Sequence, residues 1–129
     1  MVQQTDRRLN VLLIIEQCDP EGASVPLVGY RFYKELARLA NVTLVTHERN
    51  ERVIRRMHPD ADIVFIRERY LTRQYDKLAR YFSVVRGNVI WSLRQVLSYP
   101  AYAEFNYRVY ARFAKAIAQG TYDIVHAMT

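Results

Sequence analysis

Cysteine is nearly missing from this chain. Cys18 is the single one in 129 residues, so no internal disulfide can form and no cysteine cluster can hold a metal. No H-x-x-x-H or C-x-x-C pair is present either, which removes the common zinc ligand sets. No apolar run reaches the length needed to span a membrane. The opening segment, Met1 to Asn10, is polar and lacks the apolar core of a signal peptide, so a cytoplasmic location is the expectation. Repeats, low-complexity tracts and flexible linkers are absent as well. The phosphate-binding motifs common in α/β proteins fail in turn: G-x-G-x-x-G does not follow the first apolar run, and G-x-x-x-x-G-K-[ST] occurs nowhere. An aspartate at the end of the third strand, which a phosphorelay receiver needs, is replaced by Arg67.

What is present is ordinary globular composition, 50% hydrophobic and 25% charged, which excludes disorder and supplies one domain's worth of core. Leu9 to Glu16 (LNVLLIIE) is a continuous β-rich run and predicts the first strand. Gln17 to Ser24 carries Pro20 and Gly22 and predicts a loop. Ser24 can cap the next helix, with Pro26 in its first turn. Val28, Phe32, Leu36 and Leu39 recur at helical spacing, so Pro26 to Leu39 predicts an amphipathic helix, with Asn41 at its end. Val42 to Thr46 (VTLVT) predicts a second strand, Glu48 to His58 a short polar helix stopped by Pro59, and Ala61 to Arg67 (ADIVFIR) a third strand. Arg69 to Arg86 and Asn88 to Ser98 read as helices separated by Gly87. Pro100 opens another that runs to Gln119, with Phe105, Val109, Phe113 and Ile117 as its buried stripe and Gly120 as its C-cap. Tyr122 to Thr129 (YDIVHAMT) reads as a strand buried on both faces that ends on a histidine and a hydroxyl.

Strands alternating with helices imply an α/β fold: a Rossmann-like, doubly wound parallel sheet with right-handed crossovers and a long helical insertion between the third and fourth strands. The expected strand order puts the first strand in the centre, flanked by the second and fourth, with the third outside the second. In such sheets the ligand lies beyond the carboxyl ends of the strands. Two candidate features fall there. One is the loop Glu21-Gly22-Ala23-Ser24 at a helix N-terminus, whose free amides suit a phosphate or a sugar hydroxyl. The other is His126. Taken singly, the loop reads as a turn plus a cap and His126 as a strand-end structural histidine. With the first and fourth strands adjacent, both would face one crevice.

The strand Leu9 to Glu16, the loop through Ser24, the helix to Leu39 with VTLVT, the stretch Glu104-Phe105-Asn106-Tyr107-Arg108-Val109-Tyr110-Ala111-Arg112-Phe113 and the closing YDIVHAMT resemble the N-terminal domain of family-4 glycosyltransferases. The resemblance implies the GT-B architecture, two Rossmann-like domains facing a cleft. Residues 1–129 would be the N-terminal, acceptor-side domain, and the C-terminal nucleotide-sugar domain would lie outside the chain. It further implies transfer of a hexose from a nucleoside diphosphate sugar to an acceptor hydroxyl, lipid-linked acceptors included, with retention at the anomeric carbon. The substrate-binding roles carry over to Gly22, Ala23 and Ser24 and to His126. Glu21 is a further candidate for a hydroxyl contact, beside its reading as a solvated carboxylate favouring the helix dipole. No catalytic residue is assignable, and no cofactor or metal is implied. The family commonly has two adjacent glycines in this loop, whereas Ala23 and Ser24 follow Gly22. A Cβ there limits backbone approach to a phosphate.

Charge is uneven. From Arg67 to Gln119 ten basic residues stand against Glu68, Asp76 and Glu104, giving +7, while nine basic and ten acidic residues elsewhere give −1. Tyrosines and Trp91 thread the basic half. Three readings stand side by side: a solvated face over aromatic core residues, a surface resting on anionic lipid at the inner face of the membrane, and nucleic-acid binding, which is disfavoured because no recognised motif accompanies the charge. The rival to an enzyme is therefore a non-catalytic basic module for anionic membrane or nucleic acid.

Overall fold

The computed structural model describes residues 7–67, 73, 74, 77, 78 and 90–128. Its elements are β1 (Asn10–Ile15), α1 (Val25–Leu39), β2 (Asn41–His47), a 3-10 turn (Glu48–Asn50), α2 (Glu51–Met57), β3 (Ile63–Ile66), α3 (Ile90–Ala118) and β4 (Ile124–Met128). The expected helix Arg69 to Arg86 falls mostly outside the described residues, although Arg73, Gln74, Lys77 and Leu78 are helical. The chain divides into two compact units, Met1–Phe65 with Phe113–Thr129, and Ile66–Arg112. The first holds most of the sheet and the core around it.

The four strands form one parallel sheet in the order β3-β2-β1-β4. Asn10 to Ile14 of β1 pair in register with Asn41 to Val45 of β2. Val11 to Ile15 pair with Ile124 to Met128 on the other side. The expected order is thus found, as successive strand-helix-strand units with parallel strands allow. The order reverses between β1 and β4, which makes their carboxyl ends the topological switch point.

β1 and β2 are central, and most of their side chains are buried. Leu12, Leu13, Leu44 and Val45 are completely buried, each contributing about 1.5–3 kcal/mol through removal of apolar surface from water. Ile15, Tyr30, Tyr33, Ile54 and Ile63 close the core with Cys18. Burial pushes the Cys18 thiol up to about 12, with the nearby Asp19 carboxylate adding to it, so the cysteine is a protonated packing residue. The Tyr30 and Tyr33 hydroxyls are also raised, chiefly by burial. The Tyr30 hydroxyl finds His58 Nε2 at 2.9 Å, and Tyr33 meets the same imidazole edge-on, so α1 is pinned to the end of α2. That hydrogen bond lets a tyrosine sit inside without an orphaned polar atom.

Five expectations are corrected. Helix α1 forms where expected, but its buried face is Gly29, Tyr30 and Tyr33, while Val28, Phe32 and Leu39 are exposed. From Ile90 on, the helix expected to end at Ser98 and the one expected to open at Pro100 are a single helix: α3 runs unbroken through Pro100. In it Phe105, Val109 and Phe113 are buried as expected, whereas Ile117 is exposed. Asn41 opens β2, and Ala40 is the cap residue of α1. Lastly, β4 is parallel and adjacent to β1 but not buried on both faces. Ile124 and Val125 are 44% and 43% exposed, because β4 is an edge strand among the described residues.

Gly120 does close α3. Its φ of 71° lies in the left-handed region glycine favours, its amide reaches Ile117 O, and the Thr121 amide reaches Ala116 O, the paired bonds of a Schellman ending. Asp123 then starts β4 by exchanging bonds with Asn10: its amide donates to Asn10 O and its carboxylate accepts the Asn10 amide, each at 2.8 Å.

Candidate functional site

A cleft of about 300 Å³ opens at the switch point. The end of β1 supplies Ile15, Glu16 and Gln17; the first turns of α1 supply Ser24, Val25, Val28 and Gly29; β4 supplies Met128. Its walls are largely apolar, and Glu16 is the one charged residue among the described residues that line it. Such a site, an apolar concavity with a few fixed polar groups at the carboxyl edge of a parallel sheet, is where small molecules bind in this architecture.

The loop between β1 and α1 is shaped by its own residues. Asp19 Oδ1 accepts the Glu21 amide at 2.8 Å, its carbonyl accepts the Gly22 amide at 3.2 Å, and its amide donates to Pro26 O at 3.1 Å. This turn explains Gly22: a Cβ there would lie 2.8 Å from Pro26 Cβ, so the glycine permits a tight turn and does not line the cleft. Ala23 is exposed beside it, also outside the lining. Glu21 turns toward α2 and pairs with Arg56, both ends well exposed. Of the four loop candidates only Ser24 reaches the cleft.

Ser24 does so in an unusual conformation. It stands at the N-cap position of α1 with φ 57° and ψ −120°, and its hydroxyl makes no capping bond. This is backbone that glycine adopts readily and a side chain does not, costing on the order of 1–3 kcal/mol. The expected serine cap is therefore absent, since a capping residue needs extended backbone to aim its oxygen at the first-turn amides.

His126 lies two residues before Met128 on β4, so the two side chains leave the same face of the sheet. Its imidazole stacks on Phe32 of α1, with ring centroids 5.2 Å apart and planes tilted 24°. It is exposed, and its ring nitrogens make no hydrogen bond among the described residues. Phe32 is one helical turn beyond Val28, so His126 sits on the cleft's flank and not in its lining. The structure thus brings Ser24 and His126 to one side of the sheet and leaves Glu21, Gly22 and Ala23 outside the cleft.

Two contributors escaped sequence reasoning. Gly29, within a helix, would with a Cβ meet Gln17 O and Ile15 Cγ2 at 2.8 Å each, so it is the residue that lets α1 close onto the end of β1. Its signal in the sequence was a lone glycine inside a helical pattern. The other is Glu16, held from three directions. Its carbonyl accepts from Thr46 Oγ1 at 3.3 Å and Asn50 Nδ2 at 3.0 Å, and its Oε1 pairs with Arg49 at 3.2 Å. Thr46 and Asn50 are both buried and joined to each other at 2.9 Å.

Among the described residues no group of histidine, cysteine, aspartate and glutamate could hold a metal ion. No helix among them is long and apolar enough to cross a membrane. Compared with family models, curated proteins and solved structures, the chain matches none.

Proposed function

We propose that this chain is the acceptor-side domain of a nucleotide-sugar-dependent glycosyltransferase of GT-B architecture, in which residues between β3 and β4 form the helical insertion. The observation that carries the reading is the cleft at the β1/β4 switch point, with Ser24 in its wall and His126 on its flank. Apolar walls suit the carbon face of a pyranose, and the polar groups at the rim suit its hydroxyls. The domain's part in the reaction would be to hold the acceptor hydroxyl in line with a donor bound opposite.

Titration of the isotopically labelled chain with methyl α-D-glucopyranoside tests this. Backbone amides of Ser24, Val28 and Met128 should shift, and His126→Ala should weaken the binding without lowering the melting temperature. One hydrogen bond from a neutral imidazole is worth about 0.5–1.5 kcal/mol, roughly a two- to tenfold change in affinity. Shifts confined to other surfaces, or none, would end the sugar reading.

A second reading, compatible with the first, concerns α3. Arg108, Arg112 and Lys115 share one side of the helix, with Glu104 paired to Arg108 at 2.9 Å. A separate stripe, nearly across the helix from those cations, exposes Val96, Tyr99, Tyr107 and Tyr110, the last two each 70% open. The basic side, set apart from the buried Phe105, Val109 and Phe113, is the feature that would meet anionic lipid. Binding to vesicles of phosphatidylglycerol should then weaken with salt and vanish on phosphatidylcholine. Equal binding to both lipids would rule it out, and salt-sensitive binding to nucleic acid but not to vesicles would favour the basic-module alternative.

A further inference from the structure

We infer that Glu16 is the residue by which the cleft chooses its ligand: its carboxylate accepts hydrogen bonds from a pair of hydroxyl groups and turns phosphates away. The inference rests on the proposed function for the sugar but not for the hydroxyls. Glu16 is the one residue at the carboxyl end of β1 that both lines the cleft and carries charge. Its backbone is fixed by two side-chain donors that are themselves buried, Thr46 and Asn50, which is an unusual investment in the position of a single residue. Its side chain is held by Arg49 through Oε1, with no hydrogen bond to Oε2 among the described residues, and stays 24% exposed. A carboxylate so placed is an acceptor only, with lone pairs aimed by the protein and not by the ligand.

The consequences for ligand class follow from charge. Among the described residues lining the cleft none is basic, and the single charge is negative. Arg49, the nearest described cation to that carboxylate, is already engaged by it. A phosphate entering would meet Glu16 without a cation to balance it. Ser24 adds a Cβ where glycine would let backbone amides approach an anion. A neutral diol meets no such cost, and its hydroxyls donate to the carboxylate in a charge-assisted bond stronger than a neutral one. The Arg49 pair keeps the carboxylate oriented while the ligand is away.

Amide chemical shifts of Ser24, Val28 and Met128 are the readout, with three probes: methyl α-D-glucopyranoside, adenosine as a non-hexose diol, and inorganic phosphate. At least one diol should shift these amides and phosphate should not. In Glu16→Gln, which keeps the size of the side chain, the dissociation constant of the binding diol should rise at least tenfold. Arg49→Met should raise it by a smaller factor, and restoring a cation with Arg49→Lys should recover part of the loss. Melting temperatures and the remaining amide positions identify any variant that is merely unfolded. For such a variant the wild-type contrast between diols and phosphate still decides. Phosphate shifting the cleft amides of the wild-type chain, no shift with either diol, or an unchanged constant in folded Glu16→Gln would each overturn the inference. Shifts with adenosine but not with the glucoside would keep Glu16 as a diol acceptor and end the sugar-acceptor reading. Glucoside binding that ignores Glu16→Gln would do the reverse.

Discussion

Ser24 shows how much a single backbone angle can say. Its φ of 57° places a side chain where glycine is the natural occupant, in the cleft wall it helps to build. Ser24→Gly should therefore relieve strain of about 1–3 kcal/mol, offset in part by the roughly 0.5–1 kcal/mol that glycine adds to the entropy of the unfolded chain. Thermal denaturation should show the variant melting several degrees higher; a lower melting point would mean that the serine side chain makes a stabilising contact. Cys18 carries a second consequence at this scale. Its pKa rises from 9.0 to about 12 on folding, chiefly by burial. The native thiol keeps its proton where the unfolded thiol has lost it, so this contribution to stability is complete below pH 9 and is lost between pH 9 and about 12. The decline is roughly 1.4 kcal/mol per pH unit for one proton. Cys18→Ala should flatten the fall in denaturation free energy over that window by about one proton, and an identical slope in both proteins would show that the thiol does not contribute.

At the scale of elements, α1 depends on Gly29. Adding a Cβ there drives it against Gln17 O and Ile15 Cγ2, both at 2.8 Å, and one of these is backbone that cannot rotate aside. Gly29→Ala should cost on the order of 1–3 kcal/mol in urea denaturation despite alanine's better helix propensity. A more stable variant would mean that α1 has slack against β1. The same glycine explains why the helix was legible and its orientation was not. Val28, Phe32, Leu36 and Leu39 announce a helix through their spacing, yet the face that packs is centred on Gly29, Tyr30 and Tyr33. Hydropathy gives no weight to the residue that permits the closest approach, and it understates tyrosines whose hydroxyl is satisfied by a distant His58. The strand order was legible because alternation and crossover handedness leave few topologies. The exposure of β4 was not, since an apolar run fits a buried strand and an edge equally well. Of the site, the crevice and His126 could be read from topology. Glu16 could not, because its importance comes from Thr46, Arg49 and Asn50, which lie thirty or more residues away and act only after the sheet forms.

For the whole molecule, the proposed function has a stringent consequence. The cleft is lined by one sheet edge and one helix, and none of its described lining residues is a cation to support a departing diphosphate. Chemistry that depends on stabilising that leaving group needs donors aimed at it. Residues 1–129 alone should bind a sugar without transferring one, and detectable turnover of UDP-glucose by the purified chain would overturn the division of labour between two domains. The open edge of β4 bears on the molecule in a different way, through time. Along a parallel strand successive amides point alternately to either side, so β4 presents one row to β1 and the other to a side where no described strand pairs. In deuterated solvent the strand should record two clocks: amides facing β1 should exchange only when the sheet opens, while their immediate neighbours exchange about as fast as a loop. The segment that ends the sheet would then hold, residue by residue, both its slowest and its quickest protons.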